Sequence, residues 1–549
     1  MLAQLVKSIS DLTDTHSGFL PSKAPLVNLP APFERISKAC SEFSRHYHGE
    51  NLDVRPWLDQ EFSEPDPTWR EAVEKADQYL LENLMTKVSL LCHAYRWQRM
   101  PTPPENYSLK KIDLPKGLEP IWDQLSSRLQ IPRVGIFYTM VCNNWKLKGV
   151  EPGQSYNVDE IEDANIELIH SWLNSPVAEE LRTFVSTALC MESKGAKILK
   201  RIQKIYRCID LENSQEATYH MMVLEATLTS VYSIFNRGIK KQRIVPTNFL
   251  KFVQPTMIWL LDHGEGPLEG ASGPQACTIQ MVDCFLGVPR NSALGEVILK
   301  SRKYMLPKHK KLLENMDGAS SQLRDFVLKA NDHRLLEAYN RCLKLMTSWR
   351  VSHQKRAAMY IKGDEGEKVG NYVSTGLVVN NEEKRGDYFE KTMQGHIDQT
   401  KTQSVENRWQ GLEKSFDYLF RFLSEEQKAL FFSQAKRQRL KKGEAIINEG
   451  DFFPGLYSLV NGTASVYKKN QVVATIQSNE VIGEMSLIEN LPASAAVRAN
   501  EDLDLIHISL ESVYELISSQ PGIEAGFYLA IAGILSQRLR GLEPAQINS

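Results

Sequence analysis

Through most of the first 360 or so residues, apolar side chains recur at steps of three and four, the spacing of one buried helix face. The segments 71–97 (EAVEKADQYLLENLMTKVSLLCHAYRW), 166–192 (IELIHSWLNSPVAEELRTFVSTALCME) and 221–239 (MMVLEATLTSVYSIFNRGI) each predict a helix. Proline and glycine clusters, RMPTPPENY at 99–107 and DHGEGPLEGASGP at 262–274, predict breaks between helices. A further stripe runs through Leu335, Tyr339, Cys342, Leu343, Met346 and Trp349 and resumes at Ala357 and Tyr360. His353 falls in register with it, and Arg350 lies one turn earlier. On the helix alone, His353 reads as a core histidine whose ring nitrogens are satisfied by neighbours.

From Lys362 to Asn407 the chain turns polar, which predicts a loop and then a linker, with a helix in the second half. After about Gln410 a helical lead-in, SFDYLFRFLSEEQKALFFSQA, gives way to short extended runs. GLYSLV and TASVYK flank Asn461-Gly462, the strongest local hairpin signal, and SVYKKNQVVATI predicts a second hairpin. One amphipathic helix is expected from about Glu511 to Arg540. Together these elements predict a small β-barrel or jelly roll flanked by helices.

A chain of 549 residues implies about two to four domains. With 42% hydrophobic and 24% charged residues it has the composition of a soluble globular protein. A formal net charge of -2 argues against a nucleic-acid partner or a polybasic membrane contact. The first residues lack the apolar core of a secretory signal, and no apolar run is long enough to span a bilayer. The cytoplasm is the expected compartment. The eight cysteines are scattered and form no CxxC pair, so reduced, mostly buried thiols are expected. HExxH, Walker-type, GxGxxG and nucleophile-elbow motifs are absent from the sequence, which points to chemistry that depends on a cofactor.

Residues 415–540 resemble the cyclic-nucleotide-binding domain through GEAIINEGD, LYSLVNGTASV and VIGEMSLIENLPASAAVRA, in the family's order. The resemblance implies a ligand site at Gly483, Glu484, Met485, Ser486, Ala493 and Ser494. Glu484 would accept the ribose hydroxyl, and backbone amides near Met485 and Ser486 would face the phosphate. The family's phosphate-pairing arginine is replaced by Ala493. Losing that contact removes ~2–4 kcal/mol, or roughly 30- to 1,000-fold in affinity. Cyclic AMP or cyclic GMP is therefore expected as a weakly bound effector. A barrel kept for docking, or for joining two copies into a homodimer, is an equal alternative.

Residues 15–380 resemble the indoleamine 2,3-dioxygenase family of heme enzymes. The match runs collinearly through GFLPSKAPLVNLP, LLCHAYRW, LSSRLQIPRVGIFYTMVCNNW, EGASGPQACTIQMVDCFLGV, YMLPKHKKLLENM and LRDFVLKANDHRLLEAYNRCLKLMTSWRVSH. This resemblance implies that His353 is the proximal ligand of a heme b iron and that Arg350 pairs with a heme propionate. Asp283 joins them in the cofactor-binding set. The implied distal pocket comprises Phe137, Met140, Val141, Phe184, Ala188, Phe249, Gln254, Ser272 and Gly273. Dioxygen and an indole are the implied reactants, with opening of the indole C2–C3 bond as in tryptophan conversion to N-formylkynurenine.

Two positions depart from that family. Its carboxylate-binding arginine is Gln254 here, in FVQP, and its glycine–threonine loop is VSTGLV, with Thr375, Gly376 and Leu377. The expected architecture is multidomain: a mainly helical heme-dioxygenase-like domain over 1–380, with subdomains about 1–130 and 131–380, then a 381–410 linker and a barrel module over 411–549. The alternatives to an enzyme are a heme-based gas or redox sensor and a cyclic-nucleotide-responsive regulator.

Overall fold

The computed structural model describes residues 2–14, 16–47, 53–174, 177–262, 267–330, 332–361, 385–405, 423, 427, 431, 434–452, 455–489, 491–519 and 523–541. The chain divides into two compact units. The first comprises residues 1–330 and 338–405, the second 331–337 and 406–549. Among the described residues no helix is long and apolar enough to cross a membrane. All eight cysteines are buried and unpaired, as their scatter predicts.

The first unit is built of helices around an aromatic core, in which Trp97, Trp122, Trp145 and Trp259 are fully buried. The helix Gln78–Trp97 starts where the Asp77 side chain accepts from Leu80 N, and it is buried from Leu81 to Trp97. A helix apolar on most of its faces belongs inside a core. Asp77 also divides the helix expected over 71–97, since a separate helix, Pro67–Lys75, precedes it. Likewise only the second half of 166–192 is helical, as Val177–Ser193. Its first residues form strand β2 (Ile166–Leu168), antiparallel to β1 (Trp145–Leu147). Pro176 stands just before that helix in the sequence, a residue type that disfavours helix at the position preceding it.

Two segments, Tyr138–Cys142 and Phe249–Val253, form wide five-residue turns within helical stretches. The helix His333–Ile361 carries the long apolar stripe, and from Ala338 onward it belongs to the first unit. Within the span expected as a 381–410 linker lies a helix, Arg385–Thr402, which also belongs to the first unit. It behaves as core because Met393, His396, Ile397 and Thr400 on its inner face are buried.

The second unit holds two four-stranded antiparallel sheets. In one the order is β3 (Lys436–Leu440), β10 (Leu503–Ser509), β5 (Gly455–Asn461) and β8 (Val481–Ile482). In the other it is β4 (Ala445–Ile447), β9 (Ala496–Ala499), β6 (Ala464–Lys468) and β7 (Gln471–Ile476). The second expected hairpin is present. Lys468 pairs with Gln471 across Lys469 and Asn470, both with positive φ. Asn461-Gly462 does not make the other. β5 pairs with β10 and β8, whereas β6 pairs with β9 and β7, so the chain passes from one sheet to the other at this point. Asn461 Oδ1 accepts from Asp504 N at 2.7 Å, and a Cβ on Gly462 would lie 2.8 Å from Leu503 Cβ. The glycine thus serves a close crossing rather than a two-residue turn. The expected terminal helix is two helices, Leu510–Ser519 and Ile523–Gly541, with Pro521 between them in sequence.

Candidate functional site

A cavity of about 320 Å³ opens inside the first unit, the size of a small-ligand pocket. One wall is the helix His333–Ile361, which presents Trp349, Arg350, His353, Ala357 and Tyr360. A second wall is Phe389, Thr392, Met393 and His396, a face of the helix Arg385–Thr402 with three- and four-residue spacing. Opposite them stand Phe137, Val141, Phe184, Ala188, Phe249, Gln254, Ser272 and Gly273. The cavity therefore gathers the dispersed residues expected at a distal pocket, except Met140. That side chain turns to the backbone of Gly135, where a Cβ would meet its Cε at 2.8 Å.

His353 sits among aromatic rings: Trp349 at 5.4 Å, Phe235 at 5.5 Å and Phe389 at 6.0 Å between centroids. It is half-buried, and the accessible part of its ring belongs to the cavity it lines. Burial, helped by the Arg350 charge, depresses its pKa to about 4, so the imidazole is neutral near pH 7. Among the described residues its ring makes no hydrogen bond. A neutral imidazole with a nitrogen open to a cavity can coordinate a metal.

Arg350 is buried one turn earlier. Its Nη2 donates to Asp283 Oδ1, while Nη1 is buried and has no partner among the described residues. Asp283, on the helix Cys277–Leu286, is fully buried. Burial alone would raise its pKa, but the Arg350 guanidinium and the His396 ring outweigh that and hold the carboxyl well below its usual range. Arg350 lines the cavity, and a buried guanidinium nitrogen left unpaired is costly unless an acidic group meets it.

On the opposite wall the Phe184 and Phe249 rings meet edge to face at 5.2 Å. Gln254 is buried, and among the described residues its carboxamide has no hydrogen-bond partner. Ser272 Oγ is likewise unpaired, and a Cβ on Gly273 would meet nothing within 4 Å. Arg350 is the one arginine or lysine among the described lining residues, and Asp283 already engages it.

Sequence reasoning missed Phe235, Trp349, the Phe389–His396 face and Glu192. Glu192 accepts from Cys277 N at 2.8 Å and Thr278 N at 3.0 Å, at the start of a helix, and burial raises its pKa to about 7. The signal for the Phe389–His396 face was its spacing. Thr375, Gly376 and Leu377 lie outside the described residues.

In the second unit, Glu484 opens the short helix Glu484–Glu489, preceded by Gly483 with φ +98°. It is buried, and Arg538 of the helix Ile523–Gly541 donates to it, while Arg538 Nη2 also donates to Val481 O at 2.6 Å. The position expected to meet a ribose is thus engaged from within the chain. Ala493 is buried in the barrel core, Met485 and Ser494 are exposed, and Ser486 is half-buried.

A family model described as indoleamine 2,3-dioxygenase matches residues 12–395, and one described as cyclic nucleotide-binding domain matches residues 437–520. The chain is similar to indoleamine 2,3-dioxygenase 2 of Homo sapiens, at 25% identity over 50% of this chain and 66% of that protein. It is similar to a 6-hydroxytryptophan 2,3-dioxygenase of Fusarium equiseti, at 21% identity over 63% of this chain and 82% of that protein. A myoglobin of Haliotis madaka is 27% identical over 63% of this chain and 86% of its own length.

Proposed function

We propose, from the premise that the chain belongs to the indoleamine 2,3-dioxygenase family, that its first unit is a heme-dependent dioxygenase acting on an indole. The observation that carries this reading is the pairing on one helix of His353, neutral and open to the cavity, with the unpartnered Nη1 of Arg350. His353 would hold the iron, and Arg350 would meet a carboxylate of the porphyrin. When bound, heme supplies the activation of dioxygen for insertion across the indole C2–C3 bond.

The chain's own residues would confine and orient the substrate. Phe137, Phe184 and Phe249 give the indole ring aromatic faces and exclude water. Gln254 and Ser272 each bring an unengaged hydrogen-bonding group to the same wall. A carboxylate facing Gln254 instead of an arginine forgoes ~2–3 kcal/mol. Indoles without a carboxylate are therefore the favoured substrates, and L-tryptophan is disfavoured. Reconstitution with hemin, followed by product analysis on a panel of indole, tryptamine and L-tryptophan under reducing conditions, tests the reading. A protein that takes up no heme would overturn it.

A second reading, reversible oxygen binding without turnover, is favoured by the extended similarity to a protein named myoglobin. A dioxygen-dependent spectral change with no product from any indole would select it. For the second unit, the cyclic nucleotide-binding domain match supports a regulatory role. With Ala493 in place of a cation and Glu484 held by Arg538, nucleotide binding is expected to be weak.

A further inference from the structure

We propose that His396 is a positioning residue for the heme contact of Arg350, acting through Asp283; the proposal rests on the heme reading above. Asp283 is shared between two partners. Its Oδ1 accepts from Arg350 Nη2, and its Oδ2 lies 3.5 Å from His396 Nε2. On the far side of the ring, His396 Nδ1 lies 3.3 Å from Ser292 Oγ and 3.4 Å from a side-chain amide atom of Gln399. Ser292 is itself fixed, since its Oγ accepts from Gly295 N at 3.1 Å and caps the helix Ala293–Ser301. A continuous line of contacts thus runs from a helix cap through His396 and Asp283 to Arg350 and the cavity.

The three inner side chains of this line have no water to fall back on. Asp283 and His396 are 0% exposed and Arg350 is 2% exposed. A buried carboxylate held at one oxygen can still swing about its terminal bond. Held at both oxygens, it keeps one plane, and the guanidinium that pairs with it keeps one orientation. That orientation leaves Nη1 unpartnered on a residue that lines the cavity. His396 also belongs to the helix face that carries Phe389, Thr392 and Met393. Seating that helix and orienting Arg350 are therefore one event. His396 stands just past the stretch matched by the family model, which ends at residue 395.

The test uses full-length holoprotein and measures heme loss to a heme-scavenging globin, the reduction potential, and helical content. His396→Leu is expected to speed heme loss about tenfold, as for one buried hydrogen bond to a charged group. The potential should fall, because a displaced guanidinium offsets less of the Asp283 charge. His396→Gln, which can still donate to Asp283, should restore most of both. In an Arg350→Leu background, His396→Leu should add nothing further. If His396→Leu does not fold, His396→Asn, polar but too short to reach Asp283, carries the same expectation. A folded variant with wild-type heme loss and potential overturns the proposal, as does full additivity with Arg350→Leu. A wild-type protein that binds no heme overturns the heme reading and this proposal together, whereas wild-type heme with unaltered variants overturns this proposal alone.

Discussion

Gln254→Arg should turn the protein toward L-tryptophan. Gln254 is 7% exposed, on a wall with no arginine or lysine among its described residues, and its carboxamide has no partner there. An arginine at this place would meet a substrate carboxylate in a charge-assisted contact worth ~2–3 kcal/mol more than the amide provides. By affinity arithmetic that is about 30- to 150-fold. The same guanidinium, unpaired in the free variant, carries a desolvation cost that lowers thermal stability. That cost is common to every substrate, so it cancels when two substrates are compared on one enzyme. The quantity to measure is the ratio of kcat/KM for L-tryptophan to that for unsubstituted indole, in wild type and variant. An increase of about 30-fold or more is expected. An unchanged ratio, in a variant that binds heme normally, would mean that position 254 does not face the substrate's carboxylate and would refute the substrate argument.

His353→Ala is expected to lose stable heme incorporation while keeping its helical circular dichroism; a wild-type Soret band would count against the ligand assignment. The pKa of Glu192 is raised by burial to about 7, so the stability it contributes is present below about pH 4.5 and is lost as pH rises through 7. The span corresponds to roughly 3 kcal/mol. Melting curves of the apoprotein should therefore show Glu192→Gln gaining on wild type between pH 5 and 8, and a constant difference would contradict the burial argument. In the second unit, cyclic AMP and cyclic GMP should bind the full chain with Kd above ~10 μM, and Ala493→Arg should tighten them in calorimetry. Arg538→Ala should tighten them as well, by releasing Glu484; weaker binding would mean that Arg538 itself meets the ligand.

Much of the fold is legible wherever periodicity decides structure. The stripe through Leu335, Tyr339 and Met346 marked a helix, and that helix places Arg350 and His353 at the cavity. Legibility fails where the deciding contact is distant. Asn461-Gly462 carries every local sign of a hairpin, yet the register of β5 with β10 assigns the two flanking strands to different sheets. Glu192 was invisible because its partners, the amides of Cys277 and Thr278, come from a helix more than eighty residues away. The face Phe389, Thr392, Met393 and His396 was hidden differently. Threonine and histidine do not read as apolar, and the surrounding segment is rich in charge, so the helix expected there read as part of a linker rather than of the core.

The wide turn at Phe249–Val253 decides which of its side chains reach the cavity together. Its geometry is closed by a hydrogen bond from Gln254 N to Phe249 O, five residues back. In a regular α-helix, five steps of about 100° leave two side chains about 140° apart, on different faces. The widened turn brings the aromatic ring and the carboxamide to the same wall, so a sandwiching surface and a polar anchor arise from one short segment. Rewinding the same five-residue step to the ordinary α-helical pitch would rotate the amide about 140° from the ring with no side chain altered. The make-up of this cavity wall is encoded in helical phase as much as in residue identity.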